Sequence, residues 1–257
     1  MCLRLILVGA ILSASALSLS CSSRAQQKKR EGIKMSITQR MNVPSQLPWQ
    51  YVSFFDPSSD QFILDKKDVS PKDFLVWAFY GGTLDRADDA ADNRLFFFAL
   101  NPSNIPTMMD DLEGLDSELI RKIDKPTPAV LVGPKRLAKI KKVVGDRVKL
   151  TSINHEGIDF EVQIIGELPN GKYDDSAIIN LDFLAEQFRL YETQTGRAHP
   201  NVNKFVSFIW LRVADRATYD RIAKFVDTAP QLADCPVGCH NEEDLLADPE
   251  MKRLLKR

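Results

Sequence analysis

The sequence predicts an α+β domain: a mixed, mostly antiparallel sheet with packed helices. Three observations predict it. Apolar runs of strand length recur along the chain and end at Gly, Pro or Asn. Between them lie segments with apolar residues at helical spacing. The two kinds of segment do not alternate as regular βαβ units, which argues for α+β layering. No internal repeat is present.

The chain divides into three parts. Residues 1–24 read as a signal peptide or membrane anchor. Leu3 to Leu19 is almost uncharged after Arg4 and ends in small residues. At roughly 17 residues it is short for a bilayer span, which needs about 20. Leu17-Ser18-Leu19-Ser20-Cys21 resembles a bacterial lipoprotein box, which makes Cys21 a candidate for acylation, although Ser18 sits where Leu is preferred. Arg24, Lys28, Lys29 and Arg30 follow the apolar run and oppose export of an uncleaved segment. A start at Met35 or Met41 is the alternative. Residues 25–50 are polar and basic and read as a tether closed by Pro44 and Pro48. Residues 51–257 read as the folded, extracytoplasmic domain.

Within that domain the elements follow in order. Phe74 to Tyr80 is a buried strand expected to stop at Gly81-Gly82, and Arg94 to Leu100 is a second strand closed by Asn101-Pro102. The acidic run Asp85 to Asp92 joins them as a solvated turn, which suggests a long-looped hairpin. Ile105 to Lys122 has helical spacing, with Gly114 able to break it. Ala129 to Gly133 is a short strand, and Pro134 opens a helix to Val143 with Leu137, Ile140 and Val144 facing inward. Lys135, Arg136, Lys139, Lys141 and Lys142 form its wet face. Gly145-Asp146 supplies a turn. Arg147 to Ser152 and Ile158 to Gly166 alternate as half-buried antiparallel strands do. Ser176 to Leu181 is a strand, Asp182 to Tyr191 a helix, Phe205 to Val213 the strongest strand and Ala214 to Ala229 a helix. Pro236 to His240 is short and extended, and Glu242 to Leu255 is a terminal helix.

Composition excludes some functions. With 34 Lys and Arg against 35 Asp and Glu, the net charge of −1 gives no general attraction to nucleic acid. Beyond residue 25 no run is long and apolar enough to span a membrane.

Candidate chemistry is sparse. Cys235, Cys239 and His240 form the one ligand-like cluster, yet zinc asks for about four N or S ligands. A local Cys235–Cys239 disulfide and a pair of unlinked thiols in a small loop both remain open. His199, beside Pro200, reads as a surface-turn residue rather than a base. No Gly-x-Ser-x-Gly motif occurs, and Gly171-Lys172-Tyr173 lacks the upstream glycine of a phosphate loop. Asp174-Asp175 reads as a turn, since neighbours in a strand point to opposite faces. Trp77, Phe79, Tyr80, Phe96, Phe97 and Phe98 read as sheet core rather than a ligand pocket. No catalytic, cofactor-binding or metal-binding residue is expected, no cofactor is implied, and a hydrolase lacks any supporting constellation.

The run VLVGPKRLAKIKKVVGDRVKL, followed by FEVQIIGELPNGKYDDSAIINLDFL, resembles the MacB-like periplasmic core domain of ABC-transporter permeases, with FtsX and the lipoprotein-release permeases as relatives. The resemblance rests on the strand before Gly133, the Gly145-Asp146 turn, the strand carrying Phe160, Val162 and Gly166, and Asn180-Leu181-Asp182. It spans about Ile37 to Leu246. It implies a non-catalytic extracytoplasmic domain that couples to, or binds, cargo or partner proteins. It also implies membrane association through the N-terminal segment, a membrane permease subunit and a separate ABC ATPase as partners, and residence in the cell envelope facing the periplasm or exterior. The family's three later membrane helices have no counterpart before Arg257. The chain is therefore expected to be a free-standing relative, a subunit joining a membrane partner, or a truncated frame. An envelope-binding lipoprotein without an ATPase is the alternative function.

Overall fold

The first strand lies where a tether was expected. β1 (Ile33–Gln39) carries Ile33, Met35 and Ile37 in alternation with Lys34, Ser36 and Thr38, the period of an extended chain. It pairs antiparallel with β8 on one edge and β9 on the other, and residues on both of its faces are buried. Burial on two faces hides polar residues as well, which is why the segment reads as polar in sequence. The folded domain thus includes part of residues 25–50. The computed structural model describes residues 31–39, 47–88, 90–234 and 237–241. The signal-peptide or anchor segment with Cys21, the cysteine Cys235 and the expected helix from Glu242 lie outside those residues.

After β1, α1 (Trp49–Phe55) starts behind Pro48 and buries Tyr51, Val52 and Phe55. β2 (Phe74–Thr83) and β3 (Arg94–Leu100) form the expected long-looped hairpin, with Trp77 opposite Leu100 and Thr83 opposite Arg94. β2 does not stop at Gly81-Gly82. One of its edges carries β8 over Phe74–Ala78 and then β5 over Gly82–Thr83. A Cβ at Gly82 would stand 3.0 Å from Leu150 and 3.0 Å from the Tyr80 ring. The glycine marks a close approach between strands, not a turn.

The helical stretch that follows is broken as expected, into α2 (Ile105–Met108) and α3 (Ser117–Ile123), the latter capped by Asp116. β4 (Ala129–Val132) leads through Gly133 into α4 (Pro134–Ile140). This helix ends a turn earlier than expected. Lys141 takes a left-handed conformation at its end, and Val144, expected inside, is exposed. β5 (Arg147–Ser152), β6 (Phe160–Glu167) and β7 (Ala177–Asn180) follow. α5 (Leu181–Thr195), β8 (Val206–Val213), α6 (Arg216–Thr228) and β9 (Val237–Asn241) complete the described chain.

The nine strands share one sheet, and part of it closes on itself. The ring runs β2–β3–β7–β4–β6–β5 and back to β2. The β3–β7 and β4–β6 pairs are parallel and the other pairs of the sheet antiparallel, so the sheet is mixed and mostly antiparallel, as the sequence predicts. Closure removes free edges from the ring, and β8, β1 and β9 extend from β2 as a wing. All six ring strands send alternate residues into one core, among them Tyr80, Phe97, Val130, Leu150, Ile164 and Ile179. A second core covers the outer face. There Trp77, Phe98 and Trp210 meet Ile105, Met108, Leu112 and Ile123 from the helical stretch. Each such side chain contributes roughly 2 kcal/mol when fully buried, and this apolar packing holds the ring together.

Asn180 joins these layers. Its Oδ1 accepts from the backbone N–H of Asp182 and Phe183, capping α5, and its Nδ2 donates to the carbonyls of Ile123 and Asp124. Asn180→Ala is expected to lower stability by about 2 kcal/mol, read as a shift in urea midpoint. Asn180→Asp keeps the cap and loses the donors, so it should recover only part of that. Equal midpoints for all three proteins would refute the assignment.

Candidate functional site

The polar groups that could carry chemistry gather in three places. The first lies at one end of the ring, where the β5–β6 loop meets the α5–β8 loop. His155 and His199 are both buried there, at 6% and 4% exposure, so His199 is not the surface-turn residue that its neighbour Pro200 suggested. His155 Nε2 lies 3.1 Å from the Phe79 carbonyl, and its Nδ1 lies 3.2 Å from Asn201 Nδ2. The carbonyl can only accept, and the Asn154 Nδ2 that lies 3.2 Å from Nε2 donates to that same carbonyl, so the ring proton is assigned to Nε2 and Nδ1 accepts from the Asn201 amide. His199 Nε2 donates to the Glu156 carbonyl at 3.1 Å, and its Nδ1 accepts from the Asn201 backbone N–H at 3.0 Å. Asn201 is therefore held twice, by its main chain and by its side chain. Phe188, Tyr191 and Tyr80 surround the two rings. Burial holds the His155 pKa below the usual imidazole value, the Phe79 bond opposes this, and His199 adds to it. Burial pushes the Tyr80 hydroxyl up, and that hydroxyl donates to the Ile158 carbonyl at 2.9 Å. A histidine with both ring nitrogens engaged by fixed groups has no lone pair to offer a substrate.

The second place is the basic face of α4. It was expected to be solvated, but Arg136 is 7% exposed. Its Nη1 donates to the carbonyls of Ala91 and Arg94, its Nε to the carbonyl of Asp175, and its Nη2 lies 2.9 Å from the Asp175 carboxylate. Lys139 reaches the same carboxylate at 2.6 Å, and Lys135 reaches Asp174 at 2.7 Å. Asp174 and Asp175 do form a turn before β7, yet both take part in fastening α4 to the ring.

The third place connects the wing to the helical stretch. Arg212 Nη2 lies 2.9 Å from Asp110 Oδ1, and its Nε donates to the Thr107 carbonyl. Lys34 Nζ is 3.5 Å from Asp110 and 4.7 Å from the Trp210 ring centre. The partners satisfy these buried charges, and the arrangement fixes α2 against β8.

The cysteine motif does not form a loop over its described part. Cys239 and His240 are consecutive residues of β9, opposite Ile37 and Ser36 of β1. Consecutive strand residues point to opposite faces, so the two cannot ligate one ion together. Among the described residues no group of three or more His, Cys, Asp or Glu is arranged to hold a metal. Of the aromatic set, Trp77, Tyr80, Phe97 and Phe98 are core, while Phe96 is 42% exposed beside Phe79. Two hollows stand out among the described residues. One, of about 130 Å³, lies between Arg147, Glu161 and Gln163. The other, of about 260 Å³, is bounded by Trp49, Phe74, Asn101 and Asp182. Both fall below the roughly 300 Å³ from which small-molecule sites start. No helix among the described residues is long and apolar enough to cross a membrane.

No family model matches the chain, and no curated protein matches it. Among the solved structures that are similar is the extracellular domain of the noncanonic ABC-type transporter YknZ from Gram-positive bacteria. It is 13% identical, with a TM-score of 0.44, over 81% of this chain and 100% of that one. A likeness of that degree is too slight to carry an argument.

The residues that sequence reading passed over are Asn201, Arg136, Arg212 and Lys34. Arg212 had a signal, since a charge inside the apolar strand FVSFIWLRV needs a buried partner. Asn201 had none, because HPNVN has the composition of any surface turn.

Proposed function

We propose that this chain is a non-catalytic extracytoplasmic domain of an ABC-transporter permease-type system. It binds cargo or a partner protein outside the cytoplasmic membrane, or transmits movement to it. The observation that carries this reading is how the reactive side chains are used. His155, His199, Asp175 and Arg136 are each bound to a main-chain or buried group of the fold, and Asp174 pairs with the exposed Lys135. A domain that spends its polar groups on fastening loops and helices to a closed ring is suited to act as a rigid part. The order strand, helix, Gly-Asp turn, strand, strand, strand over 129–180 supports the resemblance of that stretch to MacB-like domains. In this reading the N-terminal segment, with Cys21, attaches the domain to the envelope. A membrane permease subunit and a separate ATPase complete the system.

The test is fractionation of the tagged full chain in its native host, followed by cross-linking from the outside. The expected result is recovery with the membrane, cross-linking to a membrane subunit, and release of Cys21→Ala to the soluble extracytoplasmic fraction. Recovery of the unprocessed chain from the cytoplasm would refute the reading. Membrane recovery without any transporter subunit would favour an envelope-binding lipoprotein.

A further inference from the structure

Asn201 bridges two loops that are far apart in sequence. Its backbone N–H is taken by His199 and its side-chain amide by His155, which in turn is bonded to the Phe79 carbonyl of β2. The loop that Asn201 belongs to also holds the start of α1. Trp49 N–H donates to the Asn203 carbonyl, Leu47 bridges to Val206, and the Trp49 ring stacks on Phe205 at 5.6 Å. One residue therefore links β2, the β5–β6 loop, the α5–β8 loop and the segment leading into α1.

We propose that the His155–Asn201–His199 clasp is an acid-sensitive latch, closed while His155 carries one ring proton and opened when it gains a second. A second proton must go to Nδ1. That nitrogen now accepts from Asn201 Nδ2, and two donors would then face each other at 3.2 Å. Turning the Asn201 side-chain amide over would present its oxygen instead, but the cation would still lie buried among aromatic rings with no carboxylate beside it. Beyond the Phe79 carbonyl, the surroundings offer the cation no compensating charge. Tyr80 faces the ring from β2, Phe188 from α5, and His199 from the α5–β8 loop, with Tyr191 behind it. Tyr80 keeps its hydroxyl on the Ile158 carbonyl. The charged residues of the two loops, Glu156, Asp159, Arg197 and Lys204, are exposed, and the Asp159 carboxylate accepts from the Ser152 N–H. Among the described residues no carboxylate bonds to either imidazole.

The direction follows. The folded-state pKa of His155 is depressed, so its contribution to closing is complete above the ordinary imidazole pKa and fades as pH falls below it. Opening releases the 196–204 loop and, through Asn203 and Val206, the segment at Leu47 and Trp49. The ring remains closed, because its strands are paired to each other independently of the clasp. The latch thus turns acidity into a local movement at the entrance to α1.

Amide hydrogen exchange of the purified full chain at pH 7.5 and 5.0, corrected for intrinsic rates, tests this without any transporter partner. A failure here therefore leaves the proposed function untouched. The expected result is a loss of protection at 153–157 and 197–204 of up to roughly thirtyfold, the weight that a single imidazole of pKa near 6.5 can add at pH 5.0. β4, β6 and β7 should keep their protection. His155→Gln offers a donor and an acceptor but does not titrate, so it should abolish the pH contrast. Asn201→Ala should leave both loops open at both pH values. Nitrogen-15 shifts of the His155 ring need no substitution and should show the second proton arriving as the loops open. Equal protection at both pH values would overturn the proposal. So would an unaltered acid response in His155→Gln, opening without protonation of His155, or a loss spread evenly over β4, β6 and β7.

Discussion

Gly133→Ala is expected to destabilise the protein by about 3 kcal/mol or more, at the upper end of what overpacking costs. Gly133 has an ordinary extended backbone, with φ of −67°, so conformational freedom is not the reason. The reason is space. A Cβ there would stand 2.3 Å from the Asp174 carbonyl oxygen and 2.5 Å from that of Tyr173. Both are main-chain atoms and cannot swing aside. They are also held in place, because Gly133 N–H donates to Ser176 and Arg136 N–H to Asp174. The methyl group therefore separates β4 from the turn before β7, two neighbouring strands of the ring. A urea titration reads the loss as a lower midpoint. Gly114→Ala is the control: its added Cβ would find only Pro169 at 4.0 Å, so it should move stability by under about 0.5 kcal/mol. If the two variants unfold at the same urea concentration, close approach at Gly133 does not matter.

Arg136→Leu is expected to cost about 3 kcal/mol, for a different reason. The apolar volume is nearly kept. What is lost is the donor set for the carbonyls of Ala91, Arg94 and Asp175. The carboxylate of Asp175 is 41% exposed and turns to water and Lys139, so little of the loss arises from that ion pair. The orphaned carbonyls account for most of it. Arg136→Lys restores the charge but not the planar fork, and should recover less than half. The urea midpoints of the three proteins decide the matter. Full recovery by Lys would mean that charge, and not the donor geometry, holds α4 to the ring.

These two residues mark the limit of what local pattern reveals. VLVGPKRLAKI reads correctly as strand, glycine, Pro-started helix, because each signal acts within a few residues. The same stretch gives no hint that Gly133 lies against Tyr173 and Asp174, or that Arg136 alone among its basic neighbours is buried. Its charge assigns Arg136 to the wet face, although the i, i+4 spacing places it beside Ile140. The turn before β7 then covers that face and makes it interior. β1 was missed for a similar reason. Its period-2 pattern is present, but Lys34, Ser36 and Thr38 make it read as polar, and only the folded sheet sets β1 between β8 and β9 with those residues buried. At the clasp, His155 and His199 lie in polar surroundings in sequence, and Phe188, Tyr191 and Tyr80 close over them from other elements.

The sequence by itself determined the α+β class, the kinds and order of most elements from β2 to β9, and a break in the helical stretch between Ile105 and Lys122. Those features depend on side-chain periodicity and on Gly and Pro, which act over one or two turns of chain. Only the tertiary structure decided that β2 and β5 meet to close the ring, that β1 belongs to the sheet, and that Asn201 clasps two histidines. Each of these depends on contacts between residues tens of positions apart, where burial is set by what packs on top and not by the residue's own neighbours.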